Sequence, residues 1–127
     1  MVMKKSIIGL LLIILLFSSC ILIPKQPPEH KVEVTIYNKC PWAMELQVNY
    51  PNYMIPDGVL RIDENGVRTH FYAGIPINLH FKGSYDYYSK HIYLKYGISK
   101  DETWTLEWST YDNCYFLTRN KIKIRLN

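Results

Sequence analysis

The 127-residue chain predicts an all-β fold, a small antiparallel β-sandwich of about eight strands behind an N-terminal signal segment. Three observations predict it. Apolar and polar residues alternate with period two along most of the chain from Val32 onward. No stretch beyond residue 24 sustains an apolar face at helical spacing for three turns. Aromatic residues are plentiful, with eleven Tyr and three Trp, and they suit a pleated, half-buried surface better than a helix.

The strands follow in order. Val32, Val34 and Ile36 face one way, and Glu33, Thr35 and Tyr37 the other. Met44, Leu46 and Val48 alternate with Glu45 and Gln47; Ile75, Ile77, Leu79 and Phe81 with Asn78 and His80. Ile92, Leu94 and Tyr96 alternate with Tyr93 and Lys95; Trp104, Leu106 and Trp108 with Thr105 and Glu107; Ile122, Ile124 and Leu126 with Lys123 and Arg125. Asn65-Gly66, between Leu60–Asp63 and Val67–Tyr72, predicts a hairpin because both residues tolerate positive φ. Ala73-Gly74 and Gly83-Ser84 mark further turns; a hairpin about the first would set residue 70 opposite 77 and 67 opposite 80. One buried face per strand requires two packed sheets or a closed barrel, and at this length the sandwich is the expectation.

Composition bounds the rest. At 48% hydrophobic and 20% charged the chain has the makings of one folded domain. Without Lys4 and Lys5, 13 of the 15 basic residues face 11 acidic ones, and they are scattered. That distribution lacks the basic stripe that nucleic-acid binding needs.

Residues 1–23 differ from everything after them. Lys4 and Lys5 precede an apolar run from Ile7 to Phe17, then Ser18, Ser19 and Cys20. A basic start, an apolar core and small residues before a cut define an export signal. Leu15-Leu16-Phe17-Ser18-Ser19-Cys20 resembles the lipobox of bacterial lipoproteins, with Phe17 where Leu is usual. The resemblance implies a signal peptide over 1–19, a diacylglycerol-modified Cys20 at the mature N-terminus, and a membrane held through that lipid. An uncleaved anchor and plain secretion are the alternatives, and each exports the domain. Ile21, where lipoproteins of the inner membrane often carry Asp, leans toward the outer membrane if the cell has one. Residues 20–31 then form a tether, rich in proline at Pro24, Pro27 and Pro28, whose extended backbone would hold residues 32–127 just off the bilayer.

Once Cys20 carries lipid, Cys40 and Cys114 remain, and an oxidising compartment predicts that they pair. The bridge would close a loop of about 75 residues and stabilise by roughly 4 kcal/mol. A reactive thiol at Cys40, next to Pro41-Trp42, is the alternative, but there is no Cys-x-x-Cys and no helix start to activate it. Ile36-Tyr37-Asn38-Lys39-Cys40-Pro41, a strand, Asn-x-Cys and then a second strand, is similar to the first hairpin of thaumatin-like proteins. That likeness implies no more than a β-sandwich opening.

No metal-ligand spacing links His30, His70, His80 and His91. Asp63-Glu64-Asn65-Gly66 reads as a turn rather than a calcium loop. No nucleophile elbow, phosphate loop or dinucleotide fingerprint is present, so neither catalytic residues nor a non-covalent cofactor are expected. The candidate ligand surface is aromatic: Tyr85, Tyr87, Tyr88 and Tyr93, with Trp42. Exposed tyrosines offer flat apolar area with a polar tip at low entropy cost, which suits a protein or a sugar; the competing reading has them covering the end of the core. The expected function is a membrane-held, non-enzymatic envelope interaction module. A carbohydrate or peptidoglycan binder is the alternative, and a small hydrolase stands behind both.

Overall fold

The alternation in the sequence becomes alternation in burial. In the computed structural model, which describes residues 25–126, Val32, Val34 and Ile36 are buried while Glu33, Thr35 and Tyr37 are not. Nine strands result: β1 (Lys31–Asn38), β2 (Met44–Asn49), β3 (Gly58–Ile62), β4 (Val67–Tyr72), β5 (Ile77–Gly83), β6 (Lys90–Leu94), β7 (Glu102–Ser109), β8 (Cys114–Arg119) and β9 (Ile122–Arg125). They form two sheets, ordered β4-β1-β7-β8-β9 and β3-β2-β5-β6. The inward faces meet in one core around Trp104, Tyr115 and Phe81, each fully buried, with Phe71 stacked on Trp104 at 5.8 Å. The all-β sandwich is as the sequence predicts, and no helix of the described residues is long and apolar enough to cross a membrane.

The pairing differs from the local reading in three places. β1 pairs with β4 and β7 while β2 pairs with β3 and β5, so the first two strands form a corner between the sheets and not a hairpin. Asn65-Gly66 joins β3 of one sheet to β4 of the other, and Ala73-Gly74 carries the chain back to β5. A reverse turn fixes where the chain bends, not which strand it pairs with. The Asp63–Gly66 turn is well made. Gly66 N donates to Asp63 O at 3.0 Å, and Asn65 N to Asp63 Oδ1 at 2.9 Å. Gly66 has φ 77°, and a Cβ there would lie 2.5 Å from the Ile36 carbonyl oxygen. The turn serves a crossover because β4 is claimed by β1, from Lys31–Tyr72 to Ile36–Val67. The sheets are also not wholly antiparallel: β1 runs parallel to β7, Val34 beside Glu102 through Asn38 beside Leu106.

The connections β2–β3, β5–β6, β7–β8 and β8–β9 are true hairpins. The tightest, Asn120-Lys121, has φ of 51° and 63° at its two central residues, as a two-residue turn demands.

These registers give the sandwich two distinct ends. One end carries the loops at 39–43, 63–66, 84–89 and 110–113. The other carries those at 50–57, 73–76, 95–101 and 120–121, and there the chain enters. The proline-rich segment is not a free spacer from residue 25 onward. Lys25 forms a parallel bridge with Tyr53: its N donates to Asn52 O at 2.9 Å, and Met54 N donates to its carbonyl at 2.8 Å. The expected signal peptide and lipidated Cys20 lie outside the described residues. At this entry end, Glu102 and Arg119 close the interior with a two-pronged ion pair, Nε to Oε1 at 2.6 Å and Nη2 to Oε2 at 3.0 Å. Trp104 Nε1 also donates to Glu102, at 3.0 Å.

Candidate functional site

The far end, opposite the chain entry, is built around Trp42. The β1–β2 corner that carries it is held by Asn38, a buried polar side chain whose amide is fully used. Its Nδ2 donates to Trp42 O and to Ile62 O, both at 3.0 Å, and its Oδ1 accepts from Cys40 N at 2.8 Å. Buried polar groups persist when they are satisfied in this way. The indole packs against Trp108 at 5.6 Å and Tyr115 at 6.3 Å, and Tyr85 meets it edge-on at 5.7 Å and 84°.

A polar chain runs beneath these rings. Trp42 Nε1 donates to the Tyr115 hydroxyl at 2.8 Å, and that hydroxyl is in turn hydrogen-bonded to Asp86. Burial first, and then the Asp86 carboxylate, hold the Tyr115 phenol protonated far above its ordinary range. Asp86 closes the β5–β6 loop on itself, accepting from Gly83 N at 2.7 Å. Gly83 is required by close approach: a Cβ there would meet the Tyr115 hydroxyl and Trp42 Nε1. Chemically the arrangement is a positioning device, with each proton already committed to a partner.

The candidate aromatics divide. Tyr85, Tyr87 and Tyr88 stand in the far-end loop at 82%, 90% and 77% exposure, so they do not cap the core. Tyr87 and Tyr88 are tilted neighbours at 5.9 Å and 55°. Trp42 joins Tyr85 and is half-buried. Tyr93 is exposed elsewhere, on the outer face of the β3-β2-β5-β6 sheet beside Asn78. Tyr111, exposed at the tip of the β7–β8 loop, adds a far-end ring that sequence reasoning missed, as it missed Trp108 and Tyr115. All three are recognisable only once β7 and β8 are known to pair and reach the same end as Trp42. Beside the Trp42 loop lies a cleft of about 290 Å³ whose polar lining is Glu45, Arg61, Lys82 and Ser84. That volume is at the lower limit of small-molecule sites.

The expected Cys40–Cys114 disulfide is absent: both cysteines are buried and free. Two features of the fold keep them apart. Cys40 lies just past the end of β1, where Lys39 N still donates to Leu106 O of β7, and Cys114 opens β8 on the other side of β7; two strand spacings are roughly 10 Å, against the ~6 Å Cα distance a bridge requires. Cys40 also joins the inward core, whereas Cys114 precedes the inward-facing Tyr115 and so points to the outer face. Burial, and then the Asp86 and Glu107 carboxylates, push the Cys40 thiol up to about 12, which leaves it unreactive at neutral pH.

The histidines form a different pair from the one a β4–β5 hairpin would give. His70 and His80 lie in separate sheets, while His80 and His91 face each other across β5 and β6 with rings stacked at 4.6 Å. Asn78 Oδ1 lies 2.9 Å from His91 Nε2, Asn78 Nδ2 donates to Asn49 Oδ1 at 3.4 Å, and Asn49 Nδ2 to Asp57 Oδ1 at 2.8 Å. Among the described residues no three His, Cys, Asp or Glu side chains gather as a metal site. No protein-family model matches the chain, and no curated protein matches it in sequence.

Proposed function

We propose that the chain is a membrane-anchored bacterial lipoprotein whose β-sandwich is a non-enzymatic interaction module of the cell envelope. It would bind a partner protein through the far-end aromatics. The anchoring half of this reading rests on the Lys4-Lys5 start, the apolar run and Ser18-Ser19-Cys20. The binding half rests on one observation: Tyr85, Tyr87 and Tyr88 are almost fully exposed on the end opposite the chain entry. A domain held at one end presents the other to its surroundings, and exposed tyrosines are favoured contact residues. Their rings are steeply inclined to their neighbours, at 84° and 55°, and so offer knobs for a protein's pockets rather than one flat sheet.

The carbohydrate reading has its own support in the Glu45, Arg61, Lys82 and Ser84 cleft, which sets hydrogen-bonding groups beside the Trp42 loop. Pull-down from envelopes with the native lipidated protein separates the two. A partner retained by the wild type and lost with the Tyr85→Ala/Tyr88→Ala double variant is the expected result. Equal retention by both forms would reject the aromatic site, and binding on a glycan array would move the assignment to sugar.

A further inference from the structure

The end of the sandwich where the chain enters is built differently from the aromatic far end. Three lysines there lie over three tyrosine rings: Lys25 over Tyr53 at 5.8 Å, Lys31 over Tyr72 at 4.7 Å and Lys95 over Tyr96 at 5.7 Å. They come from four separate segments, namely residues 25–31, the β2–β3 loop, the end of β4 and the β6–β7 loop. Tyr96 is 81% exposed, and Met54, next to Tyr53, is 56% exposed. Residues 25–31 and the loops at this end carry Lys25, Lys31, Lys95, Lys100 and Lys121 against Glu29, Asp57 and Asp101. The far-end loops have the opposite balance, with Asp63, Glu64, Asp86 and Asp112 against Lys39 alone.

We propose that this Lys–Tyr rim is a lipid-facing surface, on which the folded domain sits against the headgroups of an anionic bilayer. The proposal rests on the anchored reading above. The chemistry fits a bilayer interface on two counts. Tyrosine places an apolar ring and a polar hydroxyl at headgroup depth, and lysine carries its charge outward on an apolar stem toward anionic lipid. The connectivity fits as well. The apolar N-terminal segment reaches the fold at Lys25, and Lys25 is itself bonded to the Asn52–Met54 loop of the rim. Five residue-to-residue steps lead from Cys20 to Lys25 and reach at most about 18 Å even when fully extended. A lipid on Cys20 therefore holds the rim within side-chain and headgroup reach of the membrane.

Native lipidated protein in nanodiscs of phosphatidylglycerol or phosphatidylcholine tests this by amide hydrogen exchange. Residues 50–57 and 95–101 are expected to exchange roughly fivefold or more slowly in phosphatidylglycerol discs than in phosphatidylcholine, while 84–88 and 110–113 do not change. High salt, or the exposed double variant Lys31→Glu/Lys95→Glu, should remove the difference. Retention on the discs with equal exchange at both ends in both lipids rejects the lipid-facing rim alone. Failure to remain with any disc rejects the anchor, and the rim with it.

Discussion

Cys40 and Cys114 show how the position of one strand decides covalent chemistry. Compartment and even count favour a bridge, and the chain alone gives no reason against it. β7 supplies the reason by lying between them, and the parity of β8 adds to it by turning Cys114 outward. Mass spectrometry of native protein alkylated in denaturant without reductant should find two free thiols besides Cys20. In the folded state Cys40 should react on the order of a thousandfold more slowly than an ordinary thiol near pH 8, because its pKa lies near 12 rather than 9.0 and the thiolate is the nucleophile. A mass two hydrogens short of the dithiol would contradict this. His80 is likewise tuned by the strand beside it, where it faces His91. Burial, and then the charge of His91, lower its pKa below the ordinary 6.5. Since the folded value is below the unfolded one, protonation favours the unfolded chain. The stability this group supports is complete above pH 6.5 and falls as pH drops through that value. In NMR titration His91→Gln should raise the His80 midpoint toward 6.5; an unchanged midpoint would remove His91 as a cause.

Elements were legible where burial wrote them and obscure where partners had to be chosen. Period two marks β1, β2, β5 and β7 directly, because each has one face in the core. Asn65-Gly66 correctly marks a turn, but hairpin chemistry serves a crossover equally well when a more distant strand claims the next one. Asn120-Lys121 was missed because a non-glycine occupies the second positive-φ position. Tyr93 shares a sequence neighbourhood with Tyr88 yet belongs to a strand face, so counting aromatics by window merged two surfaces. The Glu102–Arg119 pair was equally invisible, since two residues 17 apart meet only through the β7–β8 register. Arg119→Ala leaves the Glu102 carboxylate, 2% exposed, with Trp104 Nε1 as its remaining donor, and should cost about 3–5 kcal/mol in urea unfolding. A loss below about 1 kcal/mol would show that water reaches the carboxylate and that the pair does not seal that end.

At the scale of the molecule, the sandwich is polar from end to end. The chain enters through a Lys–Tyr rim at Lys25, and the exposed far-end tyrosines stand beyond the whole length of the strands. Neither end was legible as an end in the sequence. The rim is assembled from four segments, and the far end depends on the β1–β7 parallel pairing and the β7–β8 hairpin. What was legible was the aromatic loop itself, because Tyr85, Tyr87 and Tyr88 fall between two alternating strands. The two ends are proposed to meet different partners, a protein at the far end and lipid at the entry end. Photo-crosslinking in living cells distinguishes them, with benzoylphenylalanine placed at Tyr88 or at Tyr96 of the full chain. Protein adducts are expected from position 88, and lipid but no protein adducts from position 96. Protein adducts from position 96 with none from position 88 would contradict this.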